Sequence, residues 1–549
     1  MNRTILVGLA LLSGVMLGLA FPPSPAGILA CFALVPLLIL LADIPETGRG
    51  LRYTYLAMLP FHAIALAWTG GYSHGNDPYM MIAGSVTILV HPLFYLIPVW
   101  AYQVIKRNLG PLPALTAFPF LWLSYEYSHT LSEWSFPWLT IGNTQTYDLP
   151  RMQMAAATGV WGLSLWILLV NVLAFLLYSR LARTPRFRGD ARSWGIVALI
   201  VAVVAAPRIY GEAVLRSAEA GDPALAGKTL RVGIVQSNID PWDKWSKSAN
   251  GYEAIRTYLS MTDSLRRREG KLDIALWPET AVPFYLLIDR NQFLLHDVQS
   301  QIDALGVPVL TGLPHAVFFP DSLAAPASAK RWRFSDERYF SYNAAALIQP
   351  GVAGIPWYGK MKMVPLAERI PYAEVFAFLD PLRWNVGLGG WNIGPDTTIF
   401  TLEKSGARFA TLICYESVYP DFAAEFVRRG AEFLAIITID SWWGRMPGAF
   451  QHQQFALLRA IENRRWIARC AVGGISSIID PYGRVRRSTE LFTRTSFAAP
   501  LGRSEELSAY TRYGDWLPQI GVLISALFIA AVAGRRFYQR KRKELWQST

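Results

Sequence analysis

Cys414 and Glu416 stand two residues apart in TLICYESVYP (411–420), where an apolar run ends. A cysteine there has three readings: a buried small hydrophobe, half of a disulfide, or a nucleophile. Two further segments place polar groups at the ends of apolar runs. Glu279 follows Trp-Pro in LDIALWPETAVP (272–283), at the position where α/β sheets gather their ligands. A carboxylate capping a helix would look the same. Lys360 and Lys362 lie in PWYGKMKMVPLAERIP (356–371), between prolines that resist regular structure. Either lysine alone could be a solvated surface charge.

Together, a cysteine, a lysine and a glutamate make a coherent device. The carboxylate takes the thiol proton, and the ammonium steadies first the thiolate and then the oxyanion of a tetrahedral intermediate. A thioester then divides one acyl transfer into two easier steps. This chemistry needs no histidine. Of the seven histidines, His452 in FQHQQFALLRAIE (450–462) is the one near such a site, and helix packing is the role expected for it. No GxSxG elbow and no HExxH pair occurs, so serine-triad and zinc hydrolysis have no support.

These residues need a scaffold. Short β-like runs at 230–236, 272–278, 307–313, 342–348, 409–415 and 433–439 alternate with helical patterns at 251–268, 291–304 and 450–468. That alternation predicts a layered α/β domain with buried strands. No glycine-rich phosphate loop follows any strand, so dinucleotide and P-loop readings are unsupported. The three cysteines, Cys31, Cys414 and Cys470, form neither a disulfide framework nor a metal pattern. Cys31 and Cys470 read as buried apolar positions. Neither a metal nor an organic cofactor is demanded.

The rest of the chain is apolar. Hydrophobic residues make up 52% and charged residues 17%, where a soluble domain carries about a quarter charged. Apolar stretches near 4–21, 28–43, 53–70, 82–105, 112–128, 160–179, 193–209 and 517–534 approach or reach a bilayer span. Cations cluster in alternate loops: Lys106 and Arg107; Arg180, Arg183, Arg186, Arg188 and Arg192; then Arg535, Arg536, Arg540, Lys541, Arg542 and Lys543 in the tail. The positive-inside bias puts both termini in the cytoplasm and the α/β domain outside. The net charge of +12 therefore reads as topology anchoring, and no nucleic-acid partner is expected. The expected organisation is a membrane domain of about seven helices over 1–210, a catalytic domain over 211–515, and a last span with a basic tail over 516–549.

At this point the residues resemble a family. Glu279 in WPET, Lys360 in the YGK loop and Cys414 in ICYES look like the Glu-Lys-Cys triad of the nitrilase superfamily. GLAFPP (18–23), FPWLTIGNTQ (136–145), GVWGLS (159–164), VQSNIDPWDKW (235–245), MVPLAERIP (363–371), WWG (442–444), RAIE (459–462) and YTRYGDW (510–516), in that order, narrow the resemblance to the apolipoprotein N-acyltransferases. The resemblance implies a polytopic α-helical membrane domain carrying an extracytoplasmic nitrilase-like αββα sandwich. It implies a multi-pass protein of the bacterial inner membrane. Its acyl donor would be a membrane phospholipid, its acceptors diacylglyceryl apolipoproteins, and its intermediate a thioacyl-enzyme. It implies Glu279 as base, Lys360 as oxyanion stabiliser and Cys414 as nucleophile, with Glu368, Glu416, Tyr415 and Trp442 in support. A monomer is expected.

Three positions depart from the family pattern: Ile439 before Asp440, Gly473 in CAVGGIS (470–476), and His129 after Glu126. Trp245, Trp357, Trp391, Trp442 and Trp443 read as loop aromatics suited to acyl chains or to a core. Two other readings stand beside this one. The first is a membrane-tethered amidase acting on a C–N bond with the same triad. The second is a transporter or binding module whose triad is incidental.

Overall fold

The structure is a computed structural model, and it describes residues 1–72, 77–183, 190–220, 228–244, 251–326, 328–333, 335–372, 375 and 390–547. Arg186, Arg188 and Trp245 lie outside the described residues. The chain divides into two compact units. One comprises Met1–Trp68, Gly84–Arg216 and Tyr513–Thr549, the other Thr69–Ala83 and Ser217–Arg512.

The first unit is helical. Among the described residues, four helices are long and apolar enough to cross a membrane, judged by length and composition: Pro78–Leu109, Val160–Ala182, Ala191–Glu219 and Trp516–Gln547. Arg3–Leu19 and Gly27–Asp43 are shorter apolar helices. The second of these is broken near Leu34, and the break has a partner. Asn171 Nδ2 donates to the Ala30 carbonyl at 2.8 Å while its Oδ1 accepts from Leu34 N at 2.8 Å. In apolar surroundings a freed backbone group needs such a side chain.

The same need explains two buried polar clusters of this unit. Glu126 accepts from Trp122 Nε1 (3.1 Å), Ile141 N (2.8 Å) and Ser164 Oγ (2.7 Å). His129 joins a chain of three imidazoles. His62 Nδ1 lies 2.7 Å from the Met58 carbonyl, which can only accept, so His62 Nε2 is left to accept from His91 Nδ1 at 2.8 Å. His91 Nε2 then accepts from His129 Nε2 at 2.9 Å. The departure at His129 thus belongs to a local network of this helical unit.

The second unit holds two sheets. We number its strands β1 (Thr229–Gln236), β2 (Ile274–Leu276), β3 (Val309–Phe318), β4 (Lys330–Arg331), β5 (Arg338–Ile348), β6 (Trp357–Gly359), β7 (Phe400–Leu402), β8 (Ala407–Ile413), β9 (Phe433–Thr438), β10 (Ile467–Ala471), β11 (Ser477–Ile479), β12 (Val485–Ser488) and β13 (Thr495–Gly502). One sheet runs β13-β1-β2-β3-β5-β4 with β6 beside β5; the other runs β12-β11-β10-β9-β8-β7. Pairings are parallel at the centre, β1-β2-β3 and β8-β9-β10, and antiparallel towards the edges. β9 and β10 are buried along their whole length, and apart from Thr438 and Arg469 their sequences are apolar without alternation.

The sheets face each other. Cys470 Sγ on β10 reaches the carbonyls of Val235 on β1 and Leu276 on β2, at 3.5 and 3.2 Å. Helices Gly251–Glu269 and Gln292–Leu305 cover the first sheet through Ile255, Tyr258, Leu265, Val298 and Ile302. Pro420–Arg428 and Pro447–Asn463 belong to the half that carries the second sheet. The result is the expected αββα layering.

Of the boundaries that differ from the sequence reading, two bear on the candidate site. The 450–468 helix ends at Asn463, because Arg464 turns left-handed (φ 47°) and β10 begins at Ile467. The 409–415 strand ends at Ile413, because Cys414 also turns left-handed (φ 52°).

Candidate active site

Each candidate residue sits just past the end of a strand. β2 leads into Trp277, which is fully buried, with Trp277 N donating to Leu310 O at 2.8 Å and its indole N–H donating to Thr262 Oγ1 at 2.9 Å. Glu279 follows and is 5% exposed. Thr280 takes the left-handed region (φ 46°), and β3 passes directly behind it at Gly312. A Cβ on Gly312 would lie 2.4 Å from Thr280 N, so this close approach requires glycine. Lys244 pins the same turn from another side, donating to Thr280 O (3.1 Å) and Thr280 Oγ1 (2.8 Å). Burial pushes Lys244 down to about 7, with the Glu279 charge opposing.

Lys360 follows β6 and is wholly buried. Lys360 N donates to Asn343 O, and Gly394 N donates to Lys360 O, both at 2.8 Å. Its ammonium lies 2.7 Å from Glu368 Oε1 and 3.6 Å from Glu279 Oε1. Burial alone would lower this lysine, but Glu368 and then Glu279 more than reverse it, so it stays charged. Asn343 on β5 ties the carboxylates together, donating through Nδ2 to Glu279 Oε1 at 2.8 Å and reaching Glu368 Oε1 at 3.4 Å. Ile439 N donates to Glu279 Oε2 at 3.0 Å. The departure at Ile439 therefore leaves this contact intact, since any residue but proline supplies a backbone N–H.

Cys414 opens a short 3-10 turn, Cys414–Val418, after β8. It is partly exposed and free. Burial, then the Glu279 charge, push its thiol above the ordinary value; Lys360 opposes them. The resting site is thus a neutral thiol beside a charged lysine held by two acidic side chains. Loss of the thiol proton to Glu279 would leave a thiolate facing an ammonium, the arrangement that nucleophilic acyl transfer needs.

The supporting residues divide by what they touch. Glu368 holds the lysine and also accepts from Val364 N at 2.8 Å. Glu416, fully buried, binds backbone: Oε2 accepts from Ile413 N (2.8 Å), and Oε1 accepts from Tyr358 Oη (2.7 Å), Met361 N (2.6 Å) and Lys362 N (3.2 Å). It stitches the cysteine turn to the lysine loop. Tyr415 is buried edge-on to Tyr419 at 5.5 Å. Trp442 meets Trp242 edge-on at 5.1 Å, in an apolar cluster with Met80, Trp391, Ile439 and Val472. Trp443 packs against that cluster. Trp357 is different from the loop aromatic expected: it begins β6 and packs on His315 and Tyr342 against the first sheet's core. Gly473 sits where a Cβ would meet Asn238 Oδ1 at 2.7 Å, so a larger residue there requires Asn238 to move.

Sequence reasoning missed Asn343, Lys244 and Asp440, and it gave His452 too small a role. Nδ1 and Nε2 of His452 both engage polar partners, as detailed below, so packing alone does not describe it. The signal for Asn343 is a lone amide in the strand run YNAAALI, and for Asp440 a carboxylate just past the end of FLAIIT.

Known proteins resemble this chain over both of its halves. The family model described as the apolipoprotein N-acyltransferase N-terminal domain matches residues 13–173, and that of the carbon-nitrogen hydrolases matches 231–501. The apolipoprotein N-acyltransferase of Chlorobaculum tepidum is 34% identical, covering 96% of both chains. That of Geobacter metallireducens is 31% identical over 96% of this chain and 95% of its own. Among solved structures, the nitrilase-superfamily protein Nit3 of Saccharomyces cerevisiae aligns with a TM-score of 0.36 at 13% identity, over 50% of this chain and 90% of its own. Two domain models in sequence order, and relatives alike from end to end, make the assignment: the chain belongs to the apolipoprotein N-acyltransferase family.

Proposed function

We propose that the protein transfers an acyl chain from a membrane phospholipid to the N-terminal amine of apolipoproteins, through a thioester on Cys414. The observation that carries this reading is the meeting of Glu279, Lys360 and Cys414 past the ends of three strands, in a chain of this family. In the first half-reaction Glu279 takes the thiol proton and sulfur attacks the ester carbonyl carbon. The oxyanion is met by the Lys360 ammonium. Collapse breaks the C–O bond, and the proton on Glu279 passes to the departing lysophospholipid oxygen. In the second, the amine of a diacylglyceryl-cysteine attacks the thioester and gives its proton to Glu279. The C–S bond breaks, and that proton returns to sulfur.

Glu368 belongs to the lysine and Glu416 to the scaffold in this reading. The organisation follows the substrates: helices over 1–210 and 516–549 in the inner membrane, and the 211–515 domain on the extracytoplasmic side as a monomer. The four long apolar helices support a membrane location.

The test is a pulse and chase. Protein in vesicles is given phospholipid labelled in its acyl chain, then a diacylglyceryl lipopeptide. Label should move from protein to lipopeptide amine. If label is released only as free fatty acid, the acceptor is water and the amidase-like hydrolytic reading replaces this one.

A further inference from the structure

His452 lies within the Pro447–Asn463 helix, 1% exposed, and its two ring nitrogens face different structures. Behind it, Arg469 Nη2 on β10 donates to Asp440 Oδ2 at 2.6 Å and lies 3.1 Å from His452 Nδ1. Arg469 Nη1 donates to the Ile475 carbonyl. Asp440 Oδ1 accepts from Thr438 Oγ1 at 2.9 Å and lies 2.8 Å from His452 Nδ1. Burial alone would raise the Asp440 carboxyl, but Arg469 and His452 hold it well below the usual range. The carboxylate therefore accepts from Nδ1–H, and because the Cys414 carbonyl facing Nε2 can only accept, Nε2 carries a hydrogen as well and the ring acts with both nitrogens as donors. Gly474 leaves room for this: a Cβ there would come within 2.4 Å of Asp440 Oδ2.

In front, His452 Nε2 lies 2.8 Å from Ser417 Oγ and 3.1 Å from the Cys414 carbonyl oxygen. Ser417 Oγ donates to that carbonyl at 2.8 Å. Cys414 is a side-chain-bearing residue in the left-handed region (φ 52°), a disfavoured conformation that persists only where the surroundings impose it. Its carbonyl is the handle by which the peptide plane after it can be held.

We propose that His452 is a positioning residue for the nucleophile. Braced by Asp440 and Arg469, it grips the Cys414 carbonyl with Ser417 and so maintains the left-handed turn that presents the thiol. The inference rests on Cys414 being the nucleophile. It concerns aim, since a displacement of about 1 Å at a reacting atom can slow a reaction about 100-fold.

The experiment uses the full chain in vesicles with a phospholipid donor. It reads the single-turnover rate of acyl loading on Cys414 by mass spectrometry, the donor KM, and the melting temperature. His452→Asn can still meet Asp440 but falls short of the carbonyl. Its loading should slow about 100-fold, with KM within about twofold and the melting point near wild type. His452→Gln, which can put an amide donor near the place of Nε2, should recover about tenfold of that loss. Asp440→Asn should slow loading as His452→Asn does.

Wild-type loading in the Asn variant, or equal rates for Asn and Gln, would overturn the proposal. If neither variant accumulates, Ser417→Ala decides, because it removes the other donor on the same carbonyl. Slower loading supports the grip, and an unchanged rate overturns it. Absence of any Cys414 adduct in the wild type would instead refute the nucleophile reading itself.

Discussion

At the scale of the residue, the candidate site gathers charged side chains that are almost wholly withdrawn from water: Lys360, Glu279 and Glu368. Two carboxylate side chains flank one buried ammonium, at 2.7 and 3.6 Å, and the thiol lies in their field. Because burial and Glu279 raise the thiol, its protonated form persists through neutral pH in the resting protein. Thiolate grows as pH rises, so alkylation of Cys414 by iodoacetamide should climb steadily with no plateau by about pH 9. A plateau near neutrality would mean a standing thiolate. Lys360→Ala should cut thioester formation by about 100- to 1,000-fold, the usual loss when one oxyanion donor is removed. Glu279→Gln keeps the side-chain shape but cannot take the proton, so its loading should stop while the protein still melts cooperatively.

At the scale of the element, the question is how three strand ends stay in register. Glu416 answers part of it, because its carboxylate accepts from the turn after β8 and from the loop after β6. Glu416→Ala would orphan several buried donors, each costing about 1–3 kcal/mol. We expect a clear fall in melting temperature together with lost activity. Gly312→Ala should do the same through the Glu279 turn, since the new methyl collides with the Thr280 backbone. A variant of either kind with wild-type melting and loading would contradict the scaffold described here.

The strand-end positions of Glu279 and Cys414 were legible because apolar runs stop there; Lys360 was read in a loop bounded by prolines, and the short strand before it was not foreseen. Glu416 stands only two residues from the cysteine along the chain. In the fold its carboxylate is spent on backbone N–H groups, which spacing along the chain does not reveal. Asn343 and the Arg469–Asp440–His452 chain were hidden for a related reason. Asn343 and Arg469 are each a charged or amide side chain in a largely apolar strand run, and His452 sits in a helix beside Gln451, Gln453 and Gln454, where nothing in the sequence sets it apart. Trp357 was misread as a loop residue because β6 has three residues and no periodicity to detect.

At the scale of the whole molecule, apolar composition and loop charge were readable over long windows, since many residues contribute to each. Helix breaks were not. The interruption near Leu34 depends on Asn171, more than a hundred residues later. Among the described residues, four helices meet the length and composition for a span, and from the positive-inside bias we propose that both ends of the chain lie in the cytoplasm. A reporter fused after Thr549 should accordingly be active only as a cytoplasmic fusion, and an extracytoplasmic signal would overturn that topology.

The central claim is that Cys414 carries the acyl chain between two lipid substrates. Peptide mass spectrometry of the protein isolated from its own membrane, without reductant or hydroxylamine, tests it directly. The account predicts a fatty-acyl mass on the peptide containing Cys414, removed by hydroxylamine and missing in Glu279→Gln. An active protein whose Cys414 is never acylated, or a Cys414→Ala variant with full transfer activity, would contradict it.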